Sequence, residues 1–414
     1  MNIWIFNHHA QGPEIPGGTR HYDLAKQLVS YGHRVVIFSA GFHYLLLKET
    51  VEYNKDGFKI EDKDGVRFVW IKTYPYKVNN IKRMVNIISY SWRLNFLIPR
   101  LDLDKPDIII GSTVHPFAPI IGYRFSKRYN TPFVFEIRDL WPQSFLDMGA
   151  WHEKDMVSKV FKSIEKYTVK RADTIISLSP MTEGYLKDEY EYEYGKNIYI
   201  PNSVDIDSVN KNKLLPDMND TFEQIIKLKD DGKVLYMFTG AIVQSNSINI
   251  FVEVARKLKI KNIQIVLVGK GQERARYEQI FKDESLFNIS FLDPVDKKLV
   301  PKLLDYADVL ILIQGNVKWG SSNKLYDYLA AKKPIITSLY VKHNDVIEGI
   351  GCGYSSGYND SDEIVINIGK VYSLSRGQQE EMGRSAYNYV SQNHDIKLMA
   401  QKLEKLCKGL VFND

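Results

Sequence analysis

Short runs rich in valine, isoleucine and leucine recur along this chain, and stretches with the helical spacing of apolar residues separate nearly every pair. That alternation confines the chain to sheets built from strand–helix–strand units, in which successive strands run parallel. Strands are expected at 3–6, 34–39, 68–72, 108–110, 133–136, 174–178 and 198–200, and a second series at 234–238, 263–268, 289–291, 309–313 and 335–337. Between the two series, Ile200-Pro201-Asn202-Ser203-Val204-Asp205 ends a strand on proline and asparagine, and a polar region over 210–220 follows. The fold class is therefore α/β. Two doubly wound domains, 1–200 and 201–384, would face a central cleft at the carboxyl ends of both sheets, where such folds bind ligands. Residues 385–410 have the pattern of one helix, with Tyr389, Leu398, Leu403 and Leu406 apolar.

With 414 residues, 44% hydrophobic and 25% charged, the chain is long enough for two cores and should be soluble. Its start, Met1-Asn2-Ile3-Trp4-Ile5-Phe6-Asn7-His8-His9, lacks the apolar run of a secretory leader, and no stretch approaches the roughly 20 apolar residues of a membrane span. Cys352 and Cys407 are too few for a disulfide framework or a thiolate metal site, so a cytoplasmic location is expected. No His or Cys cluster has zinc spacing. Asp102-Leu103-Asp104, Asp205-Ile206-Asp207 and Asp360-Ser361-Asp362 fit D-x-D, but such triplets recur by chance and each falls in a connecting region. No metal is expected.

The net charge of +5 is modest but unevenly placed. No acidic residue lies between Asp64 and Asp102, whereas Arg67, Lys72, Lys77, Lys82, Arg83, Arg93 and Arg100 do. Within this region residues 81–98 have helical character, with Ile81, Met84, Val85, Ile88, Trp92 and Phe96 on or near one face. Two readings stay open. One is a core-facing helix with a solvated basic back; the other is peripheral contact with an anionic membrane at the inner face of the plasma membrane. A nucleic-acid partner is not expected, since no binding motif accompanies the charge.

Candidate chemistry lies in the loops that follow strands. After the first strand, Gly17-Gly18-Thr19-Arg20-His21 leads into a helix with Leu24, Ala25, Leu28 and Val29 apolar. Paired glycines let backbone approach a ligand, although the G-x-G-x-x-G spacing of a dinucleotide loop is absent. Glu136-Ile137-Arg138-Asp139-Leu140-Trp141-Pro142 leaves a strand at its carboxyl end, and His115 follows another. Thr239-Gly240-Ala241 ends the first strand of the second series, ahead of the uncharged Gln244-Ser245-Asn246-Ser247, and Val268-Gly269-Lys270-Gly271-Gln272-Glu273 ends the next. Last, a strand over 309–313 gives way to a loop over 315–320. Ser321 or Ser322 then reads as the N-cap of a helix that opens with Asn323-Lys324 and buries Leu325, Leu329 and Ala330. Its first-turn N–H groups suit a diphosphate, with Lys324 as an added cation and Asp327, one turn on, placed to accept from ribose hydroxyls. The same residues also suit a serine-capped surface helix whose Lys324 and Asp327 form an exposed pair worth about 0.3 kcal/mol.

Taken in order, these motifs resemble glycosyltransferase family four, particularly its capsule and O-antigen members, over essentially the whole chain. Ser322-Asn323-Lys324 through Lys333-Pro334 is similar to S-x-K-x-x-E-Y-x-A-x-x-K-P, with Asp327 in place of Glu. Gly17-Gly18 opens a block similar to G-G-x-x-R, Asp139 to Pro142 matches D-L-W-P, and Ile200 to Asp205 resembles I-P-N-G-V-D with Ser203 at the glycine. Gly269 to Glu273 resembles G-x-G-x-E.

The resemblance implies the GT-B fold, two Rossmann-like domains with a C-terminal helix, 385–414, crossing back to the first. It implies a retaining, metal-independent transfer of a sugar, an N-acetylated hexose, from a UDP-sugar donor to a saccharide or lipid-linked acceptor, the departing phosphate assisting deprotonation. Gly17, Gly18 and Arg20 would shape the cleft, while Gly240, Gly269, Lys270 and Gly271 would border the donor. Ser321, Ser322, Asn323 and Lys324 would meet the diphosphate and Asp327 the ribose. Asp139 is the candidate contact for the acceptor hydroxyl, and His115 would face the cleft. Trp319 stands where the family often has a Glu that touches the donor sugar. The same fold admits a nucleotide-sugar epimerase, which would release free nucleotide without a transferred product. The cation-poor loop after Gly240, together with Trp319, also fits a catalytically idle scaffold subunit, which would bind UDP and never transfer.

Overall fold

A computed structural model describes the chain except for residues 15–16, 45, 79–80, 193–194, 217–218, 315–320, 340–345 and 413–414. It divides into two compact units, Met1–Asn202 with Ile396–Asp414, and Ser203–Lys318 with Ser322–Asp395; Ser321 groups with the first. The first unit holds β1 (Asn2–Phe6), β2 (Arg34–Ala40), β3 (Phe42–His43), β4 (Lys48–Glu49), β5 (Phe58–Lys63), β6 (Val66–Ile71), β7 (Ile108–Ser112), β8 (Phe133–Ile137), β9 (Thr174–Ser177) and β10 (Asn197–Tyr199). The second holds β11 (Val234–Thr239), β12 (Ile263–Val268), β13 (Ile289–Leu292), β14 (Val309–Gln314), β15 (Ile335–Leu339) and β16 (Gly353–Ser356).

The first sheet runs β10-β9-β8-β7-β1-β2-β6-β5, parallel except at the β5–β6 edge, and the second runs β13-β12-β11-β14-β15-β16, parallel throughout. Helices cover both faces of each sheet, so the central strands are buried on both sides and read as continuous apolar runs rather than alternating ones. In each sheet the order reverses at one strand: β1 pairs with β2 and β7, and β11 with β12 and β14. The loops leaving the carboxyl ends on either side of such a strand diverge, which opens the crevice where doubly wound sheets take their ligands.

Some sequence expectations change. The helix expected over 385–410 is two helices, Arg376–Asn393 and Ile396–Phe412, broken at His394 and Asp395 where Val204 donates its N–H to the His394 carbonyl (3.1 Å). The second of them buries Ile396, Met399, Leu403 and Leu406 in the first unit's core, beside helix Arg20–Ser30. β5 was not foreseen, nor was β16. In helix Ile81–Leu97 the core-facing residues are Asn86, Ile87, Tyr90 and Leu94, whereas Ile81, Val85, Ile88, Trp92 and Phe96 are exposed. The core-facing reading of that apolar stripe is therefore wrong. Among the described residues no helix is long and apolar enough to cross a membrane.

Candidate active site

At the reversal in the first sheet, the exits of β1, β7 and β8 lie side by side. Glu136, buried near the end of β8, ties them together. One of its oxygens accepts from Arg20 Nε (3.0 Å); the other accepts from His21 Nε2 (2.6 Å) and Ser112 Oγ (2.5 Å), and Ser112 accepts in turn from Asn7 Nδ2 (3.0 Å). Burial by itself would raise this carboxyl, but the charge of Arg20, the hydrogen bond from His21 and the nearby Arg138 outweigh burial and hold Glu136 well below its ordinary value. His21 is lowered by burial against the pull of Glu136, so it donates as a neutral imidazole. Arg20 also donates to the carbonyls of Pro201 (2.5 Å) and Ile200 (2.7 Å).

Beside this anchor stands a wall of buried aromatic and histidine rings. His8 stacks on Tyr90 with centroids 4.5 Å apart, and its Nδ1 lies 2.7 Å from His115 Nε2; His9 stacks on Tyr44 at 4.7 Å. Burial, reinforced by nearby positive charge, lowers His8 and His9 well below their ordinary value and His115 to about 3, so all three are neutral at physiological pH. Thr113 Oγ1 accepts from the N–H groups of Arg138 (2.8 Å) and Asp139 (3.2 Å), which fixes the turn out of β8. Burial raises the Asp139 carboxyl against the opposing charge of Arg138. His9 Nδ1, Gln11 Oε1, His115 Nδ1 and Arg138 Nε are buried with no hydrogen-bond partner among the described residues. Donors and acceptors with unused capacity, set among rings, are what a polyhydroxylated ligand engages.

In the second unit the corresponding reversal lies at β11. Gly240 follows with φ 150°, and a Cβ there would meet Lys324 Cε at 2.6 Å. Lys324, the second residue of helix Asn323–Ala330, sets its ammonium 4.7 Å from the centroid of the Phe238 ring and 3.3 Å from Asn246 Oδ1. Asn246 is held by donating Nδ2 to the Ala241 carbonyl (2.6 Å). Burial lowers Lys324 to about 8. The exits of β11 and β12 pack backbone on backbone. Gly240 donates to the Val268 carbonyl (3.0 Å) and Ile242 to that of Lys270 (2.9 Å), and a Cβ on Gly269 or Gly271 would overlap the carbonyl of Gly240 or Ile242. Ser322 occupies the N-cap position, but its hydroxyl does not cap the helix; of the first-turn amides, Leu325 N–H donates to the Ser322 carbonyl (3.2 Å). Tyr328 OH accepts from the Thr239 N–H (2.8 Å) and fastens the helix to the end of β11.

The chain matches the model described as Glycosyltransferase Family 4 over residues 17–208 and that described as Glycosyl transferases group 1 over residues 233–373. It is a family-four glycosyltransferase. The colanic acid biosynthesis glycosyl transferase WcaI of Escherichia coli (strain K12) is 23% identical over 310 residues, 73% of this chain and 74% of WcaI. The 2-deoxystreptamine N-acetyl-D-glucosaminyltransferase of Niallia circulans is 23% identical over 289 residues, 68% of this chain and 71% of that protein. The structure of Anabaena HepE in complex with UDP and glucose shares the GT-B fold, with a TM-score of 0.70 at 13% identity over 99% of this chain and 100% of that one.

Of the residues singled out from the transferase's sequence, Gly240, Gly269, Gly271, Ser322 and Lys324 meet around the β11 and β12 exits. Asn323 and Asp327 are exposed on the same helix, and Lys270 is exposed with its ammonium 3.6 Å from Asp293. Ser321 groups with the first unit, where Asn202 Nδ2 donates to its carbonyl (2.9 Å). Gly17, with φ 139°, and Gly18 precede helix Arg20–Ser30. Asp139 and His115 lie at the exits of β8 and β7. Trp319 and the loop over 315–320 fall outside the described residues. Sequence reasoning missed the anchoring by Glu136, although a carboxylate inside an apolar strand was its signal. It also missed Asn246, for which no local pattern exists. Asp205 and Asp360, from two of the D-x-D triplets, accept from the N–H groups of Ser208 and Glu363 (both 2.9 Å) as helix caps.

Proposed function

We propose that this transferase moves an N-acetylated hexose from a UDP-sugar to a saccharide or lipid-linked acceptor in bacterial surface polysaccharide assembly, with retention of configuration and without a metal ion. The observation that carries the reading is the setting of Lys324. Its ammonium is tucked against the side-chain-free Gly240 at the start of a helix whose N-cap residue, Ser322, makes no hydroxyl cap bond. A pyrophosphate there would take up first-turn amides and the lysine charge. Asp327, one turn on, would accept from the ribose hydroxyls. In the first unit Asp139 would contact the acceptor hydroxyl, the wall of His9, Gln11, His115 and Arg138 would bind sugar hydroxyls, and Arg20 would hold the loops in register. The acceptor O–H attacks C1 as the bond from C1 to the phosphate oxygen breaks, and that phosphate takes the proton. The protein then supplies position and charge, with no need for a pair of catalytic carboxylates. WcaI, the Niallia enzyme and the HepE complex support, in that order, the polymer, the sugar and the nucleotide.

Calorimetry with UDP and a transfer assay with UDP-N-acetylhexoses test the reading. UDP should bind equally with and without EDTA. Asp139→Asn should cut transfer by about a hundredfold and spare UDP affinity, whereas Asp327→Ala should weaken UDP by about tenfold. No affinity for UDP, or normal transfer by the Asp139 variant, would overturn the respective assignment.

A further inference from the structure

Helices Ile81–Leu97, Phe117–Tyr129 and Met156–Val169 belong to the layer over one face of the first unit's sheet, where Tyr90, Phe125 and Val169 share a core. A helix in such a layer ordinarily turns its apolar stripe inward and a polar face to water. Two of these helices carry apolar residues on both sides. On the first, Ile81, Val85, Ile88, Trp92 and Phe96 follow one another every three or four residues and all face solvent, Ile81 at 80% exposure and Trp92 at 63%. The third repeats the device with Met156 (76% exposed), Val160 and Tyr167, and these residues border a groove of about 480 Å³ whose opposite wall is Ile120 of the middle helix.

Charge accompanies this apolar surface. Each of the three helices carries three Lys or Arg, and their single carboxylate, Glu165, is buried. On Met156–Val169, Lys159 and Lys166 run beside the apolar stripe rather than opposite it, while Lys162 is ion-paired with Glu189. A protein partner with an apolar face would match the stripes but leave that lysine excess unanswered. An anionic bilayer answers both, since its headgroups attract the cations and its acyl boundary takes the side chains.

We propose that this three-helix face docks the transferase on an anionic lipid surface, with Trp92 and Phe96 on one helix and Met156 and Val160 on the other as paired insertion points. The proposal deepens the lipid-linked-acceptor part of the function above. Its test needs no nucleotide, so failure here leaves sugar transfer to be judged separately. The purified full chain is floated with vesicles of phosphatidylcholine alone or mixed with phosphatidylglycerol. Wild type should rise with the mixed vesicles and stay behind with the neutral ones. Ile88→Ser with Trp92→Ser, and separately Lys159→Glu with Lys166→Glu, should each weaken binding by about tenfold or more while melting temperature and UDP affinity hold. A wild type that ignores anionic vesicles, or variants that bind as wild type does, would overturn the proposal. So would a dimer in sedimentation that the Ile88/Trp92 variant dissociates, because a second copy would then be the occupant of this face.

Discussion

Two cations contrast at the residue scale. Arg20 meets a carboxylate 116 residues away and is consumed by structure, whereas Lys324 meets a ring and an amide and, under the proposed function, keeps its charge for a ligand. The sequence made Lys324 legible because a helix start after a buried strand is a local pattern. It could not show that Arg20 faces Glu136, since that pairing exists only once β8 and the helix after Gly18 are assembled. The position of Lys324 has a pH consequence. Burial has lowered the ammonium to about 8, so in the free protein it loses its proton as pH rises through that value, while the diphosphate keeps its charge. UDP affinity should therefore drop by about tenfold between about pH 7 and about pH 9. In Lys324→Met it should be weak and nearly flat over the same range. Calorimetric titration across that range decides it, and a wild-type affinity that does not change with pH would remove Lys324 from the diphosphate.

At the scale of elements, helix Met156–Val169 serves the site through its buried side. Glu165 accepts from the Trp141 N–H (2.9 Å), from Tyr190 OH (2.7 Å) and from Tyr185 OH (3.1 Å), and so holds the strand exit that carries Asp139. Burial pushes this carboxyl up from 4.5 to about 7, against the three hydrogen bonds and the charge of Lys162. Between those values the native state keeps a proton that the unfolded chain has released. The resulting stabilisation is complete below the unfolded value and disappears as pH rises through about 7. Glu165→Gln keeps the shape and the acceptor for Trp141. Relative to it, wild type should lose on the order of 2 kcal/mol between about pH 5 and about pH 8 in urea unfolding; parallel pH curves would refute the assignment. The elements that the sequence concealed share a cause. β5 is an edge strand rich in charge, and β16 is Gly-Tyr-Ser-Ser, so neither has the apolar run of a strand buried on both faces. For β5 the Asp64-Gly65 turn was a usable signal, with φ of 48° and 79° in a two-residue hairpin between β5 and β6.

For the whole molecule, the chain builds one unit, passes at Asn202 into the second, and returns for its last helix. The two sheets were legible because each interior strand carries its own signature, and the crossing at Ile200-Pro201-Asn202 because proline and asparagine stop a strand. Where the last helix belongs is not a local property: Met399, Leu403 and Leu406 announce that it covers something, and only the assembled core shows that it covers Ile3, Ile5, Val35 and Ile37. A lesion near the C-terminus should thus be felt near the N-terminus. Leu403 is 3% exposed, and Leu403→Ala should cost about 2–4 kcal/mol through lost burial and the cavity left behind. The effect should be regional. In native-state hydrogen exchange the amides of β1 and β2 should lose protection, while those of β11 and β12, whose core is built from other residues, should keep theirs. Loss of protection centred on β11 and β12 would show that the helix stabilises the other unit, and unchanged exchange throughout would show that its apolar stripe contributes little to either.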